Sequence, residues 1–470
     1  MHGKGLSVRQ NFMTTITTLF YFIITIFALV SVHEFGHFIA ARLFGMHVPI
    51  YSIGMGRRLF GWNKHNGFTL GPLSEEFENK LGAHTDYRLS LLPIGGYAKI
   101  AGMIDETQTE ALPPEPQPWE FRSKSWWKKS IVISAGVIMN FILAGAIFIG
   151  IKFSEGKEIY ETTTIGYVGQ SSVSAKLGVQ AHDKVVSINN KPITNWQDLE
   201  EEAMLEQLDR DFTMTVERNG KLVDFHYNAK DLGTEDPRKK FGLVPEGYGG
   251  TRIAAVVAST PADRIHLQKG DVITKVNDVP IESPTALVDN ISTHPNQEIT
   301  INWKRNGTEM TSKVTPDANG QIGVQQIPEP FQGKVRIVNY SIFQAIPVGI
   351  EELFQQTRLY IKSIGMLFSG KVDVGKNVGG PIKIAKFANQ AAEGGPIAFF
   401  GFMAILSLSL AFLNILPIPA LDGGHLIIIL IEAVIGRELS QGFKMGFQKV
   451  GVTLLLLLMA FMVFNDIRGL

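Results

Sequence analysis

Polar and apolar positions divide this chain into two regimes. Asp, Glu, Lys and Arg are absent from Phe12 to Val32 (21 residues), Ser130 to Ile151 (22), Gly394 to Leu421 (28) and Val450 to Asn465 (16). About 20 apolar residues in a helix cross the ~30 Å hydrocarbon layer of a bilayer, so the first three stretches have spanning length. The fourth reaches it when begun near Gly446. Residues 153 to about 335 read differently: charges return, apolar runs shorten to strand length, and the turn pairs Asn219-Gly220, Asn306-Gly307 and Asn319-Gly320 punctuate them. That pattern predicts soluble, strand-rich structure between the second and third spans.

Smaller patterns add detail. Basic Met1–Gln10 ahead of the first run has the outline of a signal peptide. The run is longer than the ~7–15 apolar residues of such a segment and offers no convincing cleavage site before His33, so it is expected to remain as a span. From Pro347 to Gly370, Ile350, Leu353, Leu359, Ile361, Ile364, Leu367 and Phe368 interleave with Glu351, Glu352, Arg358 and Lys362. This is the pattern of an amphipathic helix at a membrane interface, with a core helix as the alternative. Leu92-Pro93-Ile94-Gly95-Gly96-Tyr97 predicts a sharp turn between short strands, a hairpin over about 88–100.

The soluble segment repeats. Leu177 to Ile193, with Asp183, Ile188, Asn189 and Pro192, aligns with Ile265 to Ile281, with Asp271, Val276, Asn277 and Pro280, at a constant offset of 88. Two copies of one module fit the space. Gly270-Asp271-x-Ile273-x-x-Val276-Asn277-x-x-Pro280-Ile281 resembles bacterial periplasmic PDZ domains, small partly open barrels with helices. Such domains take an extended peptide along a strand edge. Ile165-Gly-Tyr-Val168 and Ile253-Ala-Ala-Val256 lack a Gly-Leu-Gly-Phe loop, which leaves peptide binding, a size-filtering role and a mere spacer all open.

Composition narrows the class. Lys and Arg (44) balance Asp and Glu (44) over 470 residues, which gives no electrostatic case for a nucleic-acid partner. A charged fraction of 19% with a mean hydropathy of +0.10 fits a mixture of membrane and soluble parts. Cys is absent, so any metal must be held by His and carboxylate. Arg42, Arg57, Arg58, Arg122, Lys124, Lys128 and Lys129 lie near the ends of the segment between spans one and two, against Lys4, Arg9, Lys152 and Lys157 on the other side. The positive-inside rule then places that segment in the cytoplasm and, in a bacterium, the large insert and both termini in the periplasm.

The strongest chemical signal is His33-Glu34-Phe35-Gly36-His37 at the end of the first span. Helical spacing sets both imidazoles on one face, able to share one Zn2+, with Glu34 beside them as a general base. The bland alternative is interhelical hydrogen bonding by two His and a Glu. A catalytic zinc normally has three protein ligands, and the third span ends in Asn414-Ile-Leu-Pro417-Ile-Pro419-Ala-Leu421-Asp422-Gly423-Gly424-His425. Asp422, the sole charged residue between Glu393 and Glu432, is the expected third ligand; His425 competes at helical spacing from it. Pro417 and Pro419 loosen the helix before that acid. The Asn414 amide reads either as an oxyanion donor or as a helix-packing hydrogen bond.

These motifs in this order, with a Gly-Gly-Tyr loop between the first two spans, Gly379-Gly380-Pro381-Ile382 before the third, and tandem PDZ-like modules, resemble the bacterial site-2 proteases of the RseP type. The resemblance implies an intramembrane zinc metalloendopeptidase of the inner membrane, with His33, His37 and Asp422 as zinc ligands and Glu34 as catalytic base. It further implies substrate contacts at Asn414, Pro419, Gly95 and Gly96, the last two on a loop that pairs with unwound substrate. The implied partners are membrane lipid and single-span proteins such as anti-sigma factors or signal-peptide remnants, already trimmed by an upstream site-1 protease.

The expected fold is therefore a polytopic α-helical membrane protein with a membrane-associated β-loop and two inserted periplasmic PDZ-like domains. Its segments are 1–44 (first span), 45–129 (cytoplasmic loop), 130–152 (second span), 153–247 and 248–335 (PDZ-like), 336–393 (interfacial helices), 394–435 (third span) and 446–470 (fourth span). Residues 66–86 look like extra sequence, and a Pro-rich linker runs from Pro113 to Pro118; neither has an evident role. The rival readings are a tethered soluble zincin, whose metal site would lie in the insert, a noncatalytic adaptor without zinc, and a transporter, for which no inverted repeat is visible.

Overall fold

The computed structural model describes residues 2–73, 84–103, 115–207, 210–232, 240–257, 259–368 and 379–468. The chain forms two compact units, 1–155 with 340–470, and 156–339.

The first unit opens with α1 (His2–Leu43), followed by β1 (Ile50–Asn63), β2 (Gly67–Leu70) and β3 (Asp86–Lys99) in one sheet, and by α2 (Trp126–Glu155). The sheet differs from a self-paired hairpin over 88–100. Gly95 turns the chain at φ 85°, and the two arms of β3 do not face each other; Asp86–Leu89 and Gly96–Lys99 both pair with Ile50–Ile53, which lies between them. Gly96–Lys99 has no second partner among the described residues, so it forms a free margin of the sheet. Buried Arg58 donates to buried Asp86 and to the Thr69 and Gly71 carbonyls, which stitches β2 to β1. That accounts for part of the extra sequence; 74–83, like 104–114 and the start of the Pro-rich linker, lies outside the described residues.

The second unit is the insert. Its first half holds β4 (Lys157–Tyr160), β5 (Ile165–Val168), α3 (Val173–Leu177), β6 (Lys184–Ile188), β7 (Lys191–Pro192), α4 (Trp196–Glu201), β8 (Phe212–Arg218), β9 (Lys221–Tyr227), α5 (Ala229–Leu232) and β10 (Leu243–Pro245). The second half repeats the plan with β11 (Thr251–Val256), α6 (Pro261–Arg264), β12 (Val272–Val276), β13 (Val279–Pro280), α7 (Pro284–Ser292), β14 (Ile299–Arg305), β15 (Thr308–Val314) and β16 (Val324–Pro328), and β17 (Val335–Val338) follows. The duplication extends to single bonds. Arg218 forks onto Asp183 and the Gly178 carbonyl, and Arg305 onto Asp271 and the His266 carbonyl. Asn189 and Asn277, each at φ 46°, accept from the Thr213 and Thr300 N–H groups. Each half buries its own core, around Ile188, Met214 and Tyr227 in one and Ile273, Leu287 and Trp303 in the other. β4 pairs with β17, so the first and last strands of the insert lie side by side.

The first unit resumes with α8 (Ile342–Phe368), α9 (Pro381–Glu393), α10 (Pro396–Ile415), α11 (Asp422–Ile435) and α12 (Gln441–Arg468). The amphipathic segment expected from Pro347 begins earlier, at Ile342, with Pro347 inside the helix. Asp466 on α12, fully buried, accepts from the N–H groups of Gly380, Ile382 and Lys383 and so caps α9 from another helix. The third span is not continuous over 394–435. It stops at Ile415, the chain bends and turns through 416–421, with the Leu421 N–H donating to the Ile418 carbonyl, and a new helix starts at Asp422. Pro417 and Pro419 supply no N–H to continue the helix, and Ala420 stands at φ 71°. Gly423 and Gly424 lie so close to the Ile415, Leu416 and Ile418 carbonyls that a Cβ would meet them at 2.2–2.3 Å. The fourth apolar helix, at 28 residues, is longer than the 16 uncharged positions implied.

Among the described residues, four helices are long and apolar enough to cross a membrane: Thr15–Leu43 within α1, α2, α10 and α12. Their outward faces carry exposed Leu19, Phe20, Ile138, Ile142, Leu454, Leu457 and Phe461, an apolar surface suited to lipid rather than water.

Candidate metal and catalytic centre

α1 carries His33 and His37 one turn apart, and both are buried. α2 crosses α1 at that point because two glycines remove the side chains that would keep them apart. A Cβ on Gly36 would lie 2.3 Å from the Ala135 carbonyl oxygen; one on Gly136 would lie 2.5 Å from His37 Nε2 and 2.7 Å from His33 Nε2. α2 also serves the imidazoles directly. His37 Nδ1 donates to the Val132 carbonyl at 2.8 Å, which leaves Nε2 with its lone pair. His33 Nδ1 lies 3.2 Å from the amide of Asn140, a fully buried residue.

The break between α10 and α11 delivers the third group. Asp422 opens α11 and points Oδ2 at both imidazoles, 3.1 Å from His33 Nε2 and 3.5 Å from His37 Nε2, while the two Nε2 atoms are 3.2 Å apart. Asp422 Oδ2 is buried and, among the described residues, has no hydrogen-bond donor beyond these two rings. Bonds of ~2.0–2.1 Å to a tetrahedral ion set its ligand atoms about 3.3–3.4 Å apart, close to the sides of this triangle. Two nitrogens and one carboxylate oxygen, with no thiolate, are also a zinc donor set, so the residues fit the ion.

Glu34 is held from the sheet. Its Oε2 accepts from the Ala98 N–H at 3.1 Å, on the free margin of β3, and Tyr51 on β1 donates to the Ser31 carbonyl of α1 at 3.1 Å. A cavity of about 650 Å³ joins these groups; it is lined by His33, Glu34, His37, Gly96, Asn414 and Asp422, among others.

The expected site residues therefore separate. His33, Glu34, His37 and Asp422 come together, and Asn414 joins them with Nδ2 3.3 Å from His33 Nε2. Gly96 lines the cavity, whereas Gly95 lies against Met55. Pro419 packs onto Gly451 of α12, and Ala420 and Leu421 take its place at the cavity. His425 also faces the cavity, but its Nε2 lies 3.4 Å from Gln448 Nε2 and it stands outside the metal group. Gly136 and Asn140 were invisible to motif reasoning. The available signal was an amide set in a run of 22 uncharged residues, four positions after a glycine.

Comparison with known proteins agrees with this geometry. The model of peptidase family M50 matches residues 21–458. A Pasteurella multocida protein named as a zinc metalloprotease is 30% identical over 458 residues, covering 95% of this chain and 97% of its own. The regulator of sigma-E protease RseP of Salmonella typhimurium is 30% identical over 465 residues, covering 96% and 98%. Protease RseP of Yersinia pestis is 29% identical over 475 residues, covering 97% and 100%. The chain belongs to peptidase family M50, as a zinc metalloprotease of the RseP-type site-2 group.

Proposed function

We propose that the chain cuts single-span membrane proteins within or beside the bilayer, with His33, His37 and Asp422 as its zinc ligands and Glu34 as catalytic base. The observation that carries this reading is the triangle of Nε2, Nε2 and Oδ2 at 3.1–3.5 Å, its two imidazoles on a helix of spanning length and its carboxylate at the start of α11, a few residues past the end of another. Zinc supplies, when bound, the Lewis acidity that makes water a nucleophile at neutral pH. Glu34 takes the proton of that nucleophile and returns one to the leaving amine. The Asn414 amide, 3.3 Å from His33 Nε2, is the proposed donor to the oxygen that gains charge.

A helical substrate keeps its carbonyls in internal hydrogen bonds and must unwind before it is cut. Gly96–Lys99, which among the described residues pairs with a strand on one side only, lies beside Glu34, so an unwound segment pairing on its other side brings its peptide bond to the base. Small or helix-breaking residues in the substrate span therefore favour cleavage. The inner bacterial membrane is the proposed location, with the insert in the periplasm as a peptide reader or a filter against bulky substrates. By analogy with relatives named for sigma-E regulation, the proposed substrates are anti-sigma factors or signal-peptide remnants, trimmed first by another protease.

The test is a reporter with one span and a short periplasmic tail, given to the wild type and to Glu34→Gln at equal expression. Cleavage lost with zinc retained is expected. Cleavage that persists in Glu34→Gln, or a wild type without zinc under metal-replete conditions, refutes the reading.

A further inference from the structure

We propose that Asn140 is a positioning residue for the metal, fixing the tautomer of His33 through its side-chain oxygen. The inference rests on the reading of His33, His37 and Asp422 as zinc ligands.

The atom of His33 that faces His37 and Asp422 is Nε2. To bind a cation there, Nε2 must keep its lone pair, so the ring proton must sit on Nδ1 and needs an acceptor. The polar group recorded against Nδ1 is the Asn140 amide, 3.2 Å away and fully buried. The oxygen and nitrogen of an amide exchange places by a half-turn, and the hydrogen-bond network decides between them. With Nδ2 toward His33, the amide donates to Nδ1 and drives the ring proton onto Nε2. With Oδ1 toward His33, the Nδ1 proton is accepted and Nε2 is free for the metal.

His37 supports the second arrangement by parallel. Its Nδ1 meets the Val132 carbonyl, an acceptor that cannot donate. Val132 and Asn140 lie on the same helix, so α2 supplies both ligands with an acceptor, once from backbone and once from a side chain. Ser407 of α10 donates to the Asn140 backbone oxygen at 2.9 Å and holds that turn of α2 in place.

The experiment measures zinc stoichiometry and chelator competition on the full-length chain in detergent, for wild type, Asn140→Leu, Asn140→Asp and Asp422→Ala. Leu keeps the approximate shape and removes the acceptor; a ten- to hundredfold loss of zinc affinity is expected. Asp is an acceptor of nearly identical shape and is expected to hold zinc at least as tightly as wild type. A role confined to packing predicts no such rescue. Wild-type affinity in Asn140→Leu overturns the proposal, and so does an Asn140→Asp loss as large as that of Leu. If Asn140→Leu fails to fold, Asn140→Asp against wild type decides alone, weaker binding being the refutation. Asp422→Ala with undiminished zinc overturns the metal-site reading itself, a result distinct from any failure at Asn140.

Discussion

A single methyl group at Gly136 should empty the metal site while leaving the fold in place. Alanine there sets its Cβ 2.5 Å from His37 Nε2 and 2.7 Å from His33 Nε2, where ordinary contact begins at 3.4 Å. Each imidazole must therefore retreat by about 0.7–0.9 Å, several times the ~0.2 Å within which metal–ligand distances are held. Both rings are also held by α2 itself, His37 by Val132 and His33 by Asn140, one turn to either side of Gly136, so retreat from the methyl also breaks those bonds. Zinc affinity is expected to fall at least a hundredfold, about 2.8 kcal/mol at 1.4 kcal/mol per decade. The stability cost is smaller, since ~1–3 kcal/mol of overpacking is offset by ~1 kcal/mol of helix propensity gained over glycine. The assay pairs zinc content and reporter cleavage with a thermal melt. Gly150→Ala, on the same helix with nothing within 4 Å of its Cβ, is the control and should keep both zinc and activity. Wild-type zinc and cleavage in Gly136→Ala would show that the imidazoles do not occupy these positions when metal is bound.

Three further outcomes follow from other contacts. Asp466→Ala leaves three N–H groups at the start of α9 without their acceptor, at ~1–3 kcal/mol of local stability, and faster hydrogen exchange at Ile382 and Lys383 should report it. Added zinc at a hundred times its Kd should raise wild-type stability by about 2.7 kcal/mol, and the melting temperature of Asp422→Ala should not respond. In the insert, the hydrogen bond from Lys191 holds Glu202 below its ordinary carboxylate value, against an opposing effect of burial. A depressed carboxylate stabilises the fold above its unfolded pKa of about 4.3, and that contribution is lost as pH falls through the folded value. Acid should therefore loosen α4 less in Glu202→Gln than in wild type, as read by exchange of its amides; equal acid sensitivity counts against the pairing.

Much of the membrane unit was legible locally. Length without charge marks α1, α2 and α10, and the four-residue spacing of His33 and His37 needs only helical geometry to bring two imidazoles together. Asp422 stood out because an acid directly after 28 uncharged positions is costly unless it has a task. What escaped detection depends on contacts far apart in sequence. Pro417 and Pro419 signal a loosened helix, but the restart at Asp422 needs Gly423 and Gly424 folded onto the carbonyls of 415–418. The arms of β3 look like a hairpin until Ile50–Ile53, more than thirty residues earlier, is seen to lie between them. A glycine and an asparagine inside a span carry no message by themselves; only the crossing of α2 over α1 gives Gly136 and Asn140 their neighbours.

The pairing of β4 with β17 bears on how such a chain can change over evolutionary time. Lys157 lies opposite Val338, so the two ends of a segment of more than 180 residues sit roughly 5 Å apart, the distance between neighbouring strands. Recombination at this one place can delete, duplicate or exchange the whole insert as a cassette, with a short turn sufficing to rejoin the cut ends. The metal-bearing helices can pass through such an event with their own sequence untouched.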